Sequence, residues 1–173
     1  MKLVVCALSD LEQELARHAP AGVVSLASPD QPIPSIGGDR TRLVLRFNDI
    51  AAPRDGLVAA DAETVRRLLA FADRFDQDAV LLLHCWMGIS RSPAAAFAIA
   101  CARSPSTPEA RIAGALRQAS PSATPNPRLV RLADDLLGRG GRMVEAIAGI
   151  GRGREAAMGA PFVLELPAPA RSP

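Results

Sequence analysis

Residues 79–94 read AVLLLHCWMGISRSPA, and their reading decides the fold. Ala79 to Leu83 is a continuous apolar run, the pattern of a strand buried on both faces of a parallel or mixed sheet. Arg91 to Ala102 is almost all small and apolar, and Pro93 falls in its first turn, where a proline is tolerated, so a buried central helix is expected. A short loop from Cys85 to Ser90 must join the two at the carboxyl end of the strand.

The flanking sequence alternates in the same way. Leu3 to Leu8, Gly22 to Leu26 and Arg42 to Phe47 read as strands, and Ser9-x-x-Glu12 offers a capping box for a helix carrying Leu11 and Leu15. Asp61 caps a further helix whose Val65, Leu68, Leu69, Ala72 and Phe75 fall at helical spacing. Ser28 to Arg40 and Asn48 to Ala60, rich in proline and glycine, read as loops. Thr107-Pro108 and Asn126-Pro127 each place an N-cap residue before a proline at the first helical position, Gly138 sits where a helix should end, and a last amphipathic segment carries Met143, Ile147 and Ile150. The expectation is a single α/β domain over residues 1–155, with a twisted, mostly parallel sheet of four or five strands flanked by helices. Residues 156–173 are expected to form a C-terminal tail, either an edge strand over Phe162 to Leu166 or disordered.

Composition narrows the function classes. At 173 residues and 49% hydrophobic the chain suits one core, and 20 basic against 18 acidic residues leave no electrostatic footprint for a nucleic-acid partner. No apolar run approaches the roughly 18 residues of a membrane span, and Asp10, Glu12 and Glu14 after the first apolar run suit no export signal. No membrane partner and a cytoplasmic location are therefore expected. Cys6, Cys85 and Cys101 have no C-x-x-C or Cys/His ligand spacing, so neither a disulfide framework nor a metal site is expected.

The loop itself carries the chemistry. C-x5-R alone is expected roughly 0.3 times by chance at this composition, but adding His84, Gly88 and Ser92 brings the figure to the order of 2 in 100,000. A strand-to-helix loop turns unpaired backbone N–H groups inward, and the helix dipole adds positive potential, making an oxyanion cradle from Trp86, Met87, Gly88, Ile89 and Ser90. Cys85 sits at its floor, where the same field favours the nucleophilic thiolate. Arg91 closes the ring with a planar fork that can hold two phosphate oxygens. Gly88 suits unusual dihedrals, and Ser92 is placed to hydrogen-bond the sulfur as a leaving group.

His84-Cys85-x5-Arg91-Ser92 resembles the signature of the cysteine-dependent protein tyrosine phosphatase superfamily, and its Gly-x-Ser-Arg-Ser ending looks most like a bacterial-type member of the dual-specificity branch. Asn48-Asp49 occupies the place of the family's general-acid loop, and Ser120 to Leu132 is similar to the Ser-Pro-Asn stretch that opens a late helix, so the likeness spans roughly Leu43 to Leu137. The resemblance implies phosphomonoester hydrolysis through a cysteinyl-phosphate, with no metal or organic cofactor. It implies His84 hydrogen-bonding the loop backbone to tune Cys85, and Asp49 as general acid, with Asp55 the competing candidate. Asn126 reads as an N-cap with a secondary role in organising the phosphate site. The chain holds no tyrosine, so Trp86 is the aromatic candidate beside the loop. The expected partner is a phosphorylated protein or a small phosphomonoester.

Two other readings stand beside this one: a phosphate-binding module without turnover, and a sulfurtransferase using Cys85. Cys6 and Cys101 read as core residues, with Cys6 also a candidate redox partner for Cys85, and His18 as an exposed helix-end residue.

Overall fold

The apolar run at 79–83 belongs to β4, Val80–Cys85, the middle strand of a five-stranded sheet. The computed structural model describes residues 1–37 and 40–165. Its sheet has the order β3-β2-β4-β1-β5, built from β1 (Lys2–Ala7), β2 (Gly22–Ala27), β3 (Thr41–Arg46), β4 and β5 (Phe162–Glu165). The first four run parallel, and β5 pairs antiparallel with β1 at the edge, Phe162 opposite Val5 and Leu164 opposite Leu3. Leu166 and the remainder of the C-terminal segment lie outside the described residues.

The alternation of side chains along the strands divides the core. Leu3, Val5, Val24, Leu81, Leu83 and Cys85 face one layer, which holds the helices α2 (Ala62–Ala72), α3 (Arg91–Arg103), α4 (Glu109–Ala119), α5 (Pro127–Leu136) and α6 (Arg142–Ile150). Val4, Cys6, Val23 and Leu82 face the other, covered by Leu11 and Leu15 of α1 (Leu11–His18). Helix α3 is buried at every position from Arg91 to Cys101, and its alanines let it lie close against the sheet while α2, α4 and α5 pack around it. Among the described residues no helix is long and apolar enough to cross a membrane.

Several local expectations are corrected. Leu8–Asp10 forms a 3-10 turn ahead of α1, so Ser9 caps nothing and the expected capping box is not made. The capping box exists instead on α2, where Asp61 accepts from the Thr64 N–H at 2.8 Å and Thr64 Oγ1 reciprocates. Pro108, not Thr107, is the N-cap of α4, whereas Asn126 caps α5 with Pro127 at its first position. His18 is half-buried against Glu14 at 3.2 Å, one turn earlier in α1, instead of facing water.

Candidate active site

Cys85 ends β4 and Arg91 begins α3, so the five residues between them form a loop above the carboxyl end of the middle strand. The loop's carbonyls are held from outside. Trp86 O accepts from the Leu8 N–H (3.3 Å), Met87 O from Gly159 (2.9 Å), Ile89 O from Thr124 (2.8 Å), and Ser90 O from Asn126 (3.2 Å) and Ala94 (3.1 Å). Among the described residues, the backbone N–H groups of Met87, Gly88, Ile89, Ser90 and Arg91 donate to no protein carbonyl. Carbonyls tied outward and amides left free are what an anion cradle requires.

Gly88 makes this geometry possible. Its φ is +69°, and a Cβ there would lie 2.8 Å from Ala7 N and 2.9 Å from Cys6 C, on the immovable backbone of β1. Cys85 is buried beneath the loop and accepts a hydrogen bond from Ser92 Oγ at 3.1 Å. Arg91 is 5% exposed; its Nη1 donates to Phe47 O (3.0 Å) and Ser28 Oγ (3.3 Å), while its Nε has no hydrogen-bond partner and lies 3.9 Å from Asp49 Oδ2. The guanidinium is thus anchored on one edge with donors left on the other.

Asp49 is brought to the loop from the segment after β3. Its Oδ1 accepts from Ser90 Oγ and from Asn126 Nδ2, each at 2.7 Å, and among the described residues Oδ2 has no hydrogen-bond donor. Asn48 stiffens the same segment, its Oδ1 accepting from the Val58 N–H at 2.8 Å. Asn126 is buried, caps α5 through the Leu129 N–H and holds Asp49; it does not line the cleft, so it acts on the site through Asp49 and not as a phosphate contact. Asp55 does not line the cleft either, whereas Asp30, unremarked in the sequence, does.

The cleft measures about 860 Å³, with Cys85, Met87, Ile89, Ser90, Arg91 and Asp49 among its lining residues. Trp86, Met87, Leu57 and Val58 give it an exposed apolar rim, and Arg152 reaches it from the C-terminal side. Sequence reading missed Ser28 and the Phe47 carbonyl because contacts to an arginine from unstructured segments leave no periodic signal. Arg152 lies in the arginine-rich stretch from Arg139 to Arg154, which the sequence offers both as a help in binding an anionic substrate and as a solvated helix and linker.

His84 occupies a different place from the one expected. Adjacent residues of a strand face opposite sides, and the register sets His84 against Ser25 of β2, so its Nε2 meets Ser25 Oγ at 2.7 Å rather than the loop backbone. Ser25 Oγ also accepts from Arg42 Nε at 2.9 Å, so His84, Ser25 and Arg42 form one chain of hydrogen bonds on the far face of the sheet. Burial, reinforced by the Arg42 charge, lowers the His84 pKa from its ordinary 6.5 to about 4. Between those values the unfolded chain takes up a proton that the folded chain refuses, so stability is complete above pH 6.5 and falls as the pH drops to 4, by about 3 kcal/mol. Urea unfolding at pH 7 and pH 4.5 checks this: His84→Asn is expected to flatten the pH dependence, and an unchanged slope refutes the assignment.

Cys6 lies on the same far face as His84, against α1, while Cys85 faces α3, so the sheet separates the two thiols and Cys6 is not placed as a redox partner. Burial pushes the Cys6 and Cys101 thiols up to about 12, Glu14 and Glu109 adding to it, so both stay protonated at neutral pH.

Fold and site together define a class: a cysteine at the foot of an amide cradle, closed by an arginine, on an α/β sheet. The chain has the fold of the dual-specificity and protein tyrosine phosphatases. It superposes on DUSP15 with a TM-score of 0.62 at 17% identity, covering 86% of this chain and 89% of that one. Human DUSP28 gives 0.58 at 21% identity, with 79% and 94% covered. A mouse putative dual specificity phosphatase complexed with zinc tungstate gives 0.55 at 17% identity, with 80% and 86% covered. No protein-family model and no curated protein matches the chain.

Proposed function

We infer that the protein hydrolyses phosphomonoesters through a cysteinyl-phosphate on Cys85. The observation that carries this reading is the loop over Cys85, whose amides from Met87 to Arg91 donate to no carbonyl among the described residues and whose Arg91 is anchored beside them on Phe47 O. The Cys85 thiolate attacks phosphorus, the bond from phosphorus to the ester oxygen breaks, and that oxygen takes the proton from Asp49 Oδ2, the carboxylate oxygen left free of donors. Water then attacks the phosphocysteine, giving its proton to Asp49 as the S–P bond breaks and inorganic phosphate forms. Ser92 Oγ, already bonded to the sulfur, stabilises the departing thiolate. Positioning and charge stabilisation do the work, as a loose phosphoryl-transfer transition state demands.

The apolar rim of Trp86, Met87, Leu57 and Val58 suits an aromatic or apolar group behind the phosphate, which supports a phosphorylated protein or a small aryl phosphomonoester as the partner. Three free thiols suit a reducing compartment and support a cytoplasmic site of action. The test is hydrolysis of p-nitrophenyl phosphate from pH 5 to 8, with chelator present and vanadate as inhibitor. Turnover blocked by vanadate is expected. Absence of turnover with oxyanion binding retained would favour a recognition module, and thiosulfate activity a sulfurtransferase.

A further inference from the structure

The chain does not pass straight from α6 to β5. Residues 151–161 first cross the rim of the cradle, tied down at both ends. At the start, Arg154 N donates to Pro121 O (2.8 Å) and Gly153 N to Thr124 Oγ1 (3.1 Å), with Gly153 pressed so hard on Ser122 that a Cβ would overlap its carbonyl. At the far end, Gly159 N donates to Met87 O, and a Cβ on Gly159 would stand 2.9 Å from Gly88 O. Gly88 is therefore clamped between the backbone of β1 and this strap.

We propose that the strap is a positioning element of the cradle, in which the Gly159 N–H holds the Met87–Gly88 peptide with its carbonyl outward and its N–H toward the anion. The proposal rests on the cradle reading given above. In a trans peptide the C=O and N–H point in opposite directions, so a carbonyl anchored on the strap directs the Gly88 N–H away from it. The peptide turns over through ψ of Met87 and φ of Gly88, and a glycine accepts either sign of φ, so local sterics do not choose between the two orientations. Turned over, the peptide would aim a carbonyl dipole at the phosphate and replace attraction with repulsion. The other outward carbonyls are held by the segment after β1, by the 120–126 segment and by α3; among the described residues, that of Met87 depends on the strap alone.

Gly159→Ala forces the strap off the loop and tests this in the full-length protein. Expected are a loss of about 100-fold in kcat/KM for p-nitrophenyl phosphate, as for removal of one oxyanion donor, tungstate binding weaker by about tenfold, and alkylation of Cys85 by iodoacetamide shifted to higher pH. A purely structural role would lower the melting temperature without moving the alkylation profile. Gly153→Ala loosens the opposite end, where the 120–126 segment also holds the Ile89 and Ser90 carbonyls, and should weaken tungstate binding as well, carrying the test of the strap together with its anchor if Gly159→Ala does not fold. Folded variants with wild-type tungstate affinity and alkylation profile overturn the strap's role while leaving the phosphatase reading intact. A wild type that binds no tungstate overturns the cradle and the proposal together.

Discussion

Cys85→Ser is expected to lose phosphomonoester turnover by about 10,000-fold or more while still binding tungstate. The serine leaves the shape of the site unchanged, because the loop's carbonyls are anchored by Leu8, Gly159, Thr124 and Asn126, and a serine oxygen can accept the Ser92 hydroxyl in place of the sulfur. It removes the nucleophile, since a serine hydroxyl reacts only when a base takes its proton, and none is placed to do so. The one histidine next to it in sequence points to the far face of the sheet, bonded to Ser25, and Asp49 enters the first step already protonated, as the donor to the leaving oxygen. Single-turnover assays with p-nitrophenyl phosphate and calorimetric titration with tungstate read the two halves separately. Turnover within about tenfold of wild type would sink the covalent mechanism.

Asp49→Asn tests the general acid, and its effect should depend on the leaving group. Asparagine keeps acceptor capacity toward Ser90 and Asn126, so the loop should stay in place, but it has no proton to give. An alkyl phosphate, whose alkoxide leaves badly, should lose about 1,000-fold in kcat; p-nitrophenyl phosphate, whose phenoxide leaves without help, should lose far less. The basic limb of the pH–rate profile should vanish with the carboxyl group. Equal losses on both esters would point to displaced geometry and remove Asp49 from the role. Asp30→Asn and Asp55→Asn serve as comparisons, because Asp30 shares the cleft with Asp49 while Asp55 does not.

Much of this was legible in residue order. The apolar run at 79–83 and the alanine-rich helix after Arg91 announced a buried strand and a buried helix, because burial on all sides removes polar residues from a segment. Cys85, Arg91, Gly88 and Ser92 were legible because they lie in or directly beside one short loop, and five residues between fixed elements leave few geometries. Asp49 came from its place after a strand, and the structure separates it from Asp55 through contacts with Ser90 and Asn126, 41 and 77 residues away in the chain. The role implied for His84 by the resemblance, a hydrogen bond to the loop backbone, is not what the fold makes, because the pleat turns neighbouring side chains to opposite faces and sets His84 against Ser25.

The sequence by itself determined the α/β class, the strand–loop–helix unit and the chemistry available at the loop, since these depend on neighbours along the chain. Only the tertiary structure decided which way the loop's peptides face, what anchors Arg91, on which side of the sheet each thiol lies, and that a strap near the C-terminus braces the cradle. Those features depend on hydrogen bonds and close approaches between segments distant in sequence, such as Gly159 with Met87 and Gly88 with β1. A backbone N–H or a missing Cβ leaves no periodic trace, so such contacts exist only once the chain has folded.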